Sequence, residues 1–415
     1  MSSLVHNIQS EAFKEKYFLF TGAGISITLV WWPLMNSIFC ILFFAGWLFL
    51  SSKKYNKKRI GIAFVLGSVY LLTLLGYFNS ENTEHALFRI QQKVPLLMFP
   101  LIFATSTIFS PQSKQKIFYA FSFSVMSFCL YCIGSVLWNW LSTGRVENNT
   151  GYNLIPFTDA YPFMVGVFCI FCISFHFENL LKQRRLLLTE LLPLFISWFM
   201  ILLLANVMVL ITGSLVTVYY SLKIFSKPLL RFLVLAGVIL IFASTIFLNQ
   251  SLRNKLNLLT DFSPQSNIEL DRDASLGRSW DGKALRIAIW RSSKELVYNN
   301  LWLGLGTGDV QDELQKTYET RKFYFASRYN RYNAHNQYIQ QLLTHGIAGL
   351  LFLLAGIFFP LFKNRNLMYS SYLIFLFVFA AICLTESILD INKGIVWYSF
   401  FNSIFVFSEN KPNSI

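Results

Sequence analysis

Residues 337–362 have the sequence QYIQQLLTHGIAGLLFLLAGIFFPLF, which contains no Asp, Glu, Lys or Arg. A helix of about 20 apolar residues crosses the hydrocarbon core of a bilayer, so this stretch predicts a membrane span. The same criterion predicts eleven other spans. They cover residues 17–34, 36–50, 60–78, 94–108, 117–141, 160–177, 188–205, 208–222, 232–248, 367–387 and 395–408.

The composition of the whole chain is that of a membrane protein. Hydrophobic residues make up 54% of its 415 residues, charged residues make up 13%, and the mean hydropathy is +0.48. A soluble protein has about 25% charged residues, so this chain has too few to cover a water-facing surface. No signal-peptide pattern precedes the first apolar stretch, which we expect to be retained. The sequence therefore predicts an all-α integral membrane protein with about 12 transmembrane helices.

Basic residues in the short loops predict the orientation of the spans. With a cytoplasmic N-terminus, the cytoplasmic loops contain fifteen Lys and Arg and the short outer loops contain four. Cytoplasmic loops are enriched in Lys and Arg, so both termini are predicted to be cytoplasmic. The fifteen are Lys53, Lys54, Lys57, Lys58, Arg59, Lys114, Lys116, Lys182, Arg184, Arg185, Lys223, Lys227, Arg231, Lys363 and Arg365, and the four are Arg89, Lys93, Arg145 and Lys393.

One long segment, residues 249–336, differs from the rest by its charge. It contains thirteen basic and ten acidic residues, and long loops cross the membrane regardless of charge. Helical periodicity over residues 283–300 and 309–322 predicts a small helical subdomain on the outer side. The predicted organisation is nine spans in residues 1–248, this subdomain in residues 249–336, and three spans with a cytoplasmic tail in residues 337–415.

Neither the net charge nor the cysteines predict a further function. The net charge of +14 comes from basic residues that cluster in the short loops. No basic amphipathic face or RNA-binding motif accompanies it, so nucleic-acid binding is not predicted.

Two C-x-x-C pairs, Cys129/Cys132 and Cys169/Cys172, lie inside Phe-rich spans. Because no other metal ligands or redox-fold pattern lie nearby, we interpret them as small buried side chains and predict no metal and no cofactor.

The strongest local signal is His335-Asn336, followed after nine residues by Gly346-Ile-Ala-Gly349. The spacing predicts His335 at the outer start of a span, with Gly346 about three turns later on the same helix face. The small residues then let a neighbouring helix approach closely. A neutral imidazole at a helix N-terminus can accept a proton from a hydroxyl. The alternative is an interfacial histidine bound to a backbone carbonyl.

Arg286, Trp290 and Arg291 lie in the first predicted helix of the outer subdomain. Arg286 and Trp290 are four residues apart and share a helix face, whereas Arg291 is turned away. A guanidinium fork binds phosphate oxygens, and an indole ring can stack on a sugar, so the pair predicts a site for an anion joined to a sugar. The alternative is an interfacial helix whose arginines contact lipid headgroups.

Three smaller features complete the candidate set. The run Gly304-Leu-Gly-Thr-Gly-Asp309 lacks the strand–turn–helix context of nucleotide sites and predicts a tight glycine turn. Arg89 and Lys93, four residues apart before a span, would add positive charge to an outward-facing cavity. Glu386 and Asp390, also four apart, are acidic residues at the outer end of a span and are therefore functional candidates. The alternative is that their side chains extend to the membrane interface.

Taken together, residues 286–349 resemble the O-antigen ligase/polymerase family of bacterial membrane proteins. The resemblance lies in the Arg-x-x-x-Trp helix, the Gly-Leu-Gly-Thr-Gly-Asp turn and the sequence HNQYIQQLLTHGIAGL that enters a span. The layout of many spans with one large periplasmic loop before the histidine is similar too. The resemblance implies the fold of the multi-span, lipid-carrier-dependent glycosyltransferases, in the bacterial inner membrane with a periplasmic active site.

The resemblance also implies the chemistry. The donor is expected to be a glycan on undecaprenyl diphosphate, and the acceptor a lipid A-core sugar or another lipid-linked repeat, with no metal or nucleotide required. His335 is expected to activate the acceptor hydroxyl and Arg286 to bind the diphosphate. Asn336, Trp290 and Arg291 are further candidates for substrate binding.

One departure from the family pattern concerns a cation. Members often carry Ser-Arg after a Thr-Gly-like turn in a middle span, where the arginine faces the diphosphate. This chain has Thr212-Gly-Ser-Leu215 at that place, so the cation is absent. Arg89, Lys93 and Arg291 are the candidates to replace it.

We therefore predict an O-antigen ligase-type membrane glycosyltransferase. A first alternative is a polymerase that joins lipid-linked repeats of O-antigen or capsular polysaccharide and uses the same residues. A second alternative is a polysaccharide or lipid-carrier transporter. Transporters place ionisable groups near the bilayer midplane, often in paired repeats, whereas the span centres here are almost free of charge and no halves repeat.

Overall fold

The computed structural model describes residues 11–106, 108–144, 151–156, 161–183, 187–248, 282–363 and 371–407. The structure is 84% helical, and none of the described residues forms a β-strand. The all-α class predicted from the sequence is thus confirmed. Residues 249–281 of the predicted outer subdomain lie outside the described residues.

The described residues form sixteen α-helices. The first eight are α1 (Glu11–Trp31), α2 (Pro33–Phe49), α3 (Lys57–Leu66), α4 (Ser68–Leu75), α5 (Thr83–Lys93), α6 (Pro95–Thr105), α7 (Pro111–Thr143) and α8 (Pro162–Gln183). The others are α9 (Leu188–Leu204), α10 (Val207–Ile224), α11 (Pro228–Leu248), α12 (Gly282–Asn299), α13 (Val310–Thr320), α14 (Gln337–Lys363), α15 (Ser371–Cys383) and α16 (Asn392–Phe407). Short 3₁₀ turns cover Gly76–Asn79, Gly151–Leu154 and Ile388–Asp390, and a π-helical turn covers Phe325–Tyr329.

Five helical segments of the described chain are long and apolar enough to cross a membrane. They are α5 joined to α6, then α7, α8, α10 and α14. The pair of α3 and α4 makes a sixth if it is counted as one span bent by 60°. Each of the twelve predicted spans overlaps a helix, but α2, α9, α15 and the Pro228–Gly237 part of α11 are shorter apolar helices. A multi-span membrane protein is supported, and the number twelve stays a prediction.

The main core is built from phenylalanine rings on α6, α7, α8 and α16. Ring centroids lie 4.9 Å apart for Phe171 and Phe401, 5.0 Å for Phe121 and Phe401, and 5.1 Å for Phe99 and Phe400, all in edge-to-face geometry. Such pairs add to the packing gained by burial. A helix that is apolar on all sides is buried among others, and α8 has 78% of its apolar stretch buried. The helices α8 and α16 therefore form the centre of the bundle.

The two C-x-x-C pairs meet in this core. Cys129 Sγ lies 3.7 Å from Cys169 Sγ, and all six cysteines of the chain are buried thiols. Burial of this kind agrees with the interpretation of these residues as small packed side chains.

A second, smaller core lies in the charged segment. It joins α12, α13 and the chain that leads to α14. The helices predicted over residues 283–300 and 309–322 are confirmed as α12 and α13. The buried members of this core are Ala288, Ile289, Val310, Leu314, Tyr318, Phe323, Ala326, Ala334 and Leu343. The segment is therefore a packed helical unit built onto the N-terminal end of α14.

The prediction that Gly346 continues one helix from His335 is wrong. The helix α14 is broken at His345 and Gly346, where φ is −133° and +62°. A Cβ atom on Gly346 would lie 2.4 Å from the carbonyl oxygen of Trp302, and the amide of Ile347 donates to the carbonyl of Leu301 at 2.8 Å. The element that packs closely against these small residues is therefore a turn of the charged segment and not a neighbouring helix.

That turn is the predicted glycine turn. Gly304 and Gly306 have φ values of +73° and +96°, which side chains other than glycine rarely adopt. The amides of Leu305 and Gly306 donate to the carbonyls of Leu343 and Thr344 at 2.8 and 3.1 Å. These carbonyls have lost their helical partners at the break, so the turn satisfies them. The prediction of a tight glycine turn is confirmed.

Candidate functional site

His335 is held just outside α14 by its neighbours in the chain. Asn336 caps the helix, because its Oδ1 accepts from the amides of Tyr338 and Ile339 at 2.9 and 3.0 Å. Its Nδ2 donates to the carbonyl of Leu384 at 2.9 Å. His335 itself has a φ of +43°, a strained value for a residue with a side chain. Asn336, predicted to bind substrate, thus has both ends of its amide group engaged within the protein.

The backbone of Ala334, the residue before His335, is held at both its carbonyl and its amide. Trp290 Nε1 donates to the carbonyl of Ala334 at 3.1 Å, and the amide of Ala334 donates to Gln340 Oε1 at 3.2 Å. The Trp290 ring packs against the smaller core. Trp290 therefore holds the backbone beside the histidine, and stacking of its ring on a sugar stays a prediction.

Glu386 joins the two residues that the sequence singled out. Its Oε1 accepts from Arg286 Nη2 at 2.6 Å, and its Oε2 lies 3.2 Å from His335 Nδ1. Arg286 Nε also donates to the carbonyl of Thr385 at 3.1 Å. The side chains of His335, Arg286 and Glu386 are 24%, 27% and 11% exposed, so the group is accessible from outside. The three helices α12, α14 and α15 meet at this point.

This geometry assigns the ring nitrogens of His335 different roles. A carboxylate only accepts hydrogen bonds, so the Nδ1 atom facing Glu386 carries the proton. Nε2 is then unprotonated in the neutral ring and can accept a proton from a hydroxyl. The arrangement is a carboxylate–imidazole pair beside a guanidinium, which suits proton abstraction next to a bound anion.

Arg89 and Lys93 lie at a second polar cluster, around Asp390. Lys93 Nζ and Asp390 Oδ1 are 3.0 Å apart, and both side chains are 4% exposed. Arg89 Nη1 donates to Gln92 Oε1 at 2.9 Å and to the Asp390 carbonyl at 3.5 Å. Burial raises the pKa of Asp390, but the charges of Lys93 and Arg89 outweigh it and hold the pKa below its usual value. The charge of Lys93 is therefore already matched within the protein.

Arg291 is the remaining candidate for the missing cation. Arg291 is exposed on α12, and no ion pair ties it to a carboxylate among the described residues. Leu215, which the sequence comparison predicted to stand where the family often has an arginine, is 52% exposed on α10. The roles of Arg89, Lys93 and Arg291 in binding a diphosphate stay predictions.

The residues of this site can be identified from the sequence more readily than the contacts between them. Glu386 is a candidate because acidic residues are rare at the ends of spans, but its two partners lie 51 and 100 residues away in the chain. Gln340 and Thr385 carry no signal, since one is a common helix residue and the other contributes only a backbone carbonyl. Spacing within a helix cannot identify such contacts.

Comparison with known proteins bears on residues 192–354. A family model described as O-antigen ligase matches this range, which runs from α9 through the charged segment into α14. It includes Arg286, Trp290 and His335 but ends before Glu386. A search of curated proteins gave no match. Residues 192–354 of this chain are therefore similar to the O-antigen ligase family.

Proposed function

We propose that the protein is an O-antigen ligase that transfers a glycan from undecaprenyl diphosphate to a lipid A-core sugar. The observation that carries the proposal is the contact of one carboxylate, Glu386, with both His335 and Arg286. Two of these residues lie in the part of the chain that matches the O-antigen ligase family. A base and an anion-binding group side by side are the minimum that this transfer requires.

The acceptor is activated by His335. Its Nε2 takes the proton from the acceptor hydroxyl as the oxygen attacks the anomeric carbon of the donor sugar. Nδ1 keeps its proton and donates a hydrogen bond to Glu386. This hydrogen bond stabilises the imidazolium that forms. The backbone bonds to Ala334 and the cap by Asn336 fix the direction of the ring, and such fixed geometry lowers the entropic cost of the reaction.

The leaving group is stabilised by Arg286. When the anomeric C–O bond breaks, its electron pair goes to the diphosphate of the lipid carrier. Diphosphate is a good leaving group, so the reaction needs little acid catalysis and gains most from cations near the developing charge. The guanidinium of Arg286 binds phosphate oxygens through two parallel N–H bonds. No metal or nucleotide takes part in this scheme.

The predicted topology suits this chemistry. The distribution of Lys and Arg supports cytoplasmic termini in the bacterial inner membrane. The site lies where α14 begins and α15 ends, on the side that this topology makes periplasmic. Donor glycans and lipid A-core acceptors would meet there at the membrane surface.

A polymerase that joins lipid-linked repeats would use the same two residues, so the acceptor decides between the functions. The test is deletion of the gene followed by analysis of the surface glycan. We expect lipid A-core without polymer and accumulation of long lipid-linked chains. Core that carries a single repeat would instead identify a polymerase, and an unchanged surface glycan would contradict both.

A further inference from the structure

The two oxygens of the Glu386 carboxylate are not held equally. Oε1 accepts from Arg286 Nη2 at 2.6 Å, whereas Oε2 is 3.2 Å from His335 Nδ1. Charge-assisted bonds from nitrogen to a carboxylate have typical lengths of about 2.7–2.9 Å. The first contact is therefore a full ion pair and the second a weak hydrogen bond. In this structure Glu386 is therefore bound more closely by Arg286 than by His335.

The donor competes for the same guanidinium. Arginine binds carboxylates and phosphates through the same planar fork of N–H groups, and a diphosphate carries more negative charge than a carboxylate. We propose that the donor diphosphate displaces Glu386 from Arg286 and that the released carboxylate then binds His335 fully. This inference rests on the proposed function of the site. Glu386 is thus a positioning residue whose action on the base depends on the donor.

The backbone around Glu386 can stay in place during this exchange. The carbonyl of Leu384 accepts from Asn336 Nδ2 at 2.9 Å, and the amide of Leu389 donates to Gln337 Oε1 at 2.7 Å. Arg286 Nε keeps its bond to the Thr385 carbonyl at 3.1 Å, because that bond does not involve the Nη atoms. The exchange therefore requires only rotation of the Glu386 side chain.

The consequence is an ordered activation of the base. While Glu386 is paired with Arg286, its charge does little to stabilise an imidazolium at His335. Once the diphosphate occupies Arg286, the whole carboxylate charge faces Nδ1, and proton transfer from the acceptor to Nε2 becomes more favourable. The proton of the acceptor ends on Nε2, the Nδ1 proton remains on the ring, and Glu386 stays ionised throughout. His335 therefore becomes an effective base only when a donor is bound.

The first test measures binding of inorganic pyrophosphate to the purified full-length protein by calorimetry. Glu386→Gln removes the competing charge but keeps the size of the side chain, so we expect it to bind pyrophosphate at least five times more tightly than the wild type. Glu295→Gln is the matched control. It removes the same charge from α12, where Glu295 pairs with Arg321 at 2.8 Å, and should change the affinity less than twofold. Glu386→Gln binding that is no tighter than wild type overturns the inference.

The same titration separates the inference from the proposed function. Arg286→Ala should abolish the pyrophosphate binding seen in the wild type. If Arg286→Ala binds as well as the wild type, the donor-binding role of Arg286 fails and the displacement fails with it. If binding requires Arg286 but Glu386→Gln does not tighten it, only the displacement is wrong.

The second test uses steady-state kinetics with a lipid-linked donor. Glu386→Gln should lower kcat at least tenfold, because His335 loses its carboxylate, and should also lower the donor KM, because the competitor for Arg286 is gone. A purely structural role would lower kcat and raise KM together. Glu386→Asp keeps the charge on a shorter side chain, and should recover part of kcat without lowering KM. A raised donor KM in Glu386→Gln contradicts the inference.

Discussion

The Nδ1 atom of His335 lies 3.2 Å from Oε2 of Glu386, although 51 residues separate them in the chain. His335 belongs to the segment that enters α14, and Glu386 follows the end of α15. The contact turns an isolated histidine into half of a carboxylate–imidazole pair. Activity at this site should therefore depend on the pair and on the contacts that hold it.

His335→Ala should abolish glycan transfer while the protein remains in the membrane at its normal level. Loss of a general base lowers rates by about 10²–10⁴-fold, and no second imidazole is in contact with Glu386 among the described residues. The measurement is the amount of surface glycan in cells, together with immunoblots of the membrane fraction. Transfer near the wild-type rate would remove His335 from the mechanism.

Arg286→Ala should act mainly on the donor. Hydrogen bonds to charged groups contribute about 1.5–3 kcal/mol, so we expect the donor KM to rise roughly ten- to hundredfold in a membrane assay. Lys294→Ala is the matched control, because Lys294 is a cation on the exposed face of the same helix. A donor KM that rises equally in both variants would mean that only the general charge of α12 matters.

Trp290→Phe separates two roles of the indole. The variant keeps an aromatic ring for stacking on a sugar but loses the Nε1 donor to the Ala334 carbonyl. A buried carbonyl without a partner costs about 1–3 kcal/mol, and the backbone beside His335 is loosened. We therefore expect kcat to fall several-fold with little change in KM. Wild-type kcat in Trp290→Phe would show that the ring alone matters.

The buried pair of Lys93 and Asp390 should be important for folding. Removal of one partner from a buried ion pair costs about 3–5 kcal/mol, whereas its replacement by apolar residues is often nearly neutral. Lys93→Met and Asp390→Leu should therefore each destabilise the protein strongly, and the double variant should be more stable than either. Unfolding in a detergent titration measures this. Strictly additive effects would mean that the two charges are not coupled.

The same pair gives the protein a pH dependence at low pH. The pKa of Asp390 is lower in the folded protein than its ordinary value of 3.8. Its stabilising contribution is then complete above that value and is lost as the pH falls through the folded pKa. The stability difference between the wild type and Asp390→Asn should be constant from about pH 5 to pH 8 and shrink below about pH 4. A difference that grows on acidification would contradict the assigned direction.

Gly346→Ala should prevent correct folding of the N-terminal part of α14. The glycine has a φ of +62°, and a Cβ atom there would lie 2.4 Å from the Trp302 carbonyl. Gly61→Ala is the control, because Gly61 lies within α3 and a Cβ atom there would meet no other part of the structure within 4 Å. Alanine in a helix is about 0.5–1 kcal/mol better than glycine, so this control should be neutral or slightly stabilising. Normal amounts of folded Gly346→Ala would show that the break is not required.

Local pattern predicts the helices well and their breaks poorly. The apolar runs and the periodicity of α12 and α13 depend on nearby residues, which the sequence displays directly. The break at Gly346 lies in a run that is apolar on both sides, so its pattern is that of an ordinary span with a glycine. The break depends on contacts with Leu301 and Trp302, far earlier in the chain, and no local spacing encodes them.

In the candidate site, too, the sequence predicts local features better than contacts between distant residues. Arg286 and Trp290 share a helix face as their spacing predicts, yet the ring of Trp290 packs against the smaller core and its N–H group binds backbone. The sequence places Lys93 at an outer cavity, whereas the structure pairs it with Asp390 at 4% exposure. In both cases a distant part of the chain decides what a polar group contacts. Residue type indicates the chemistry, and tertiary packing determines the partner.

The turn at Gly304 and Gly306 binds α14 at the break that separates its two parts. Its amides hold the last carbonyls of the N-terminal part, so that part and His335 are fastened to α12 and α13. Glu386, in contrast, belongs to the connection between α15 and α16 in the bundle. The separation of base and carboxylate is therefore set by the bonds between the start of α14 and this connection, from Asn336 Nδ2 to the Leu384 carbonyl and from the Leu389 amide to Gln337 Oε1. A tilt of the charged segment that weakened these bonds would draw His335 away from Glu386 and switch the pair off.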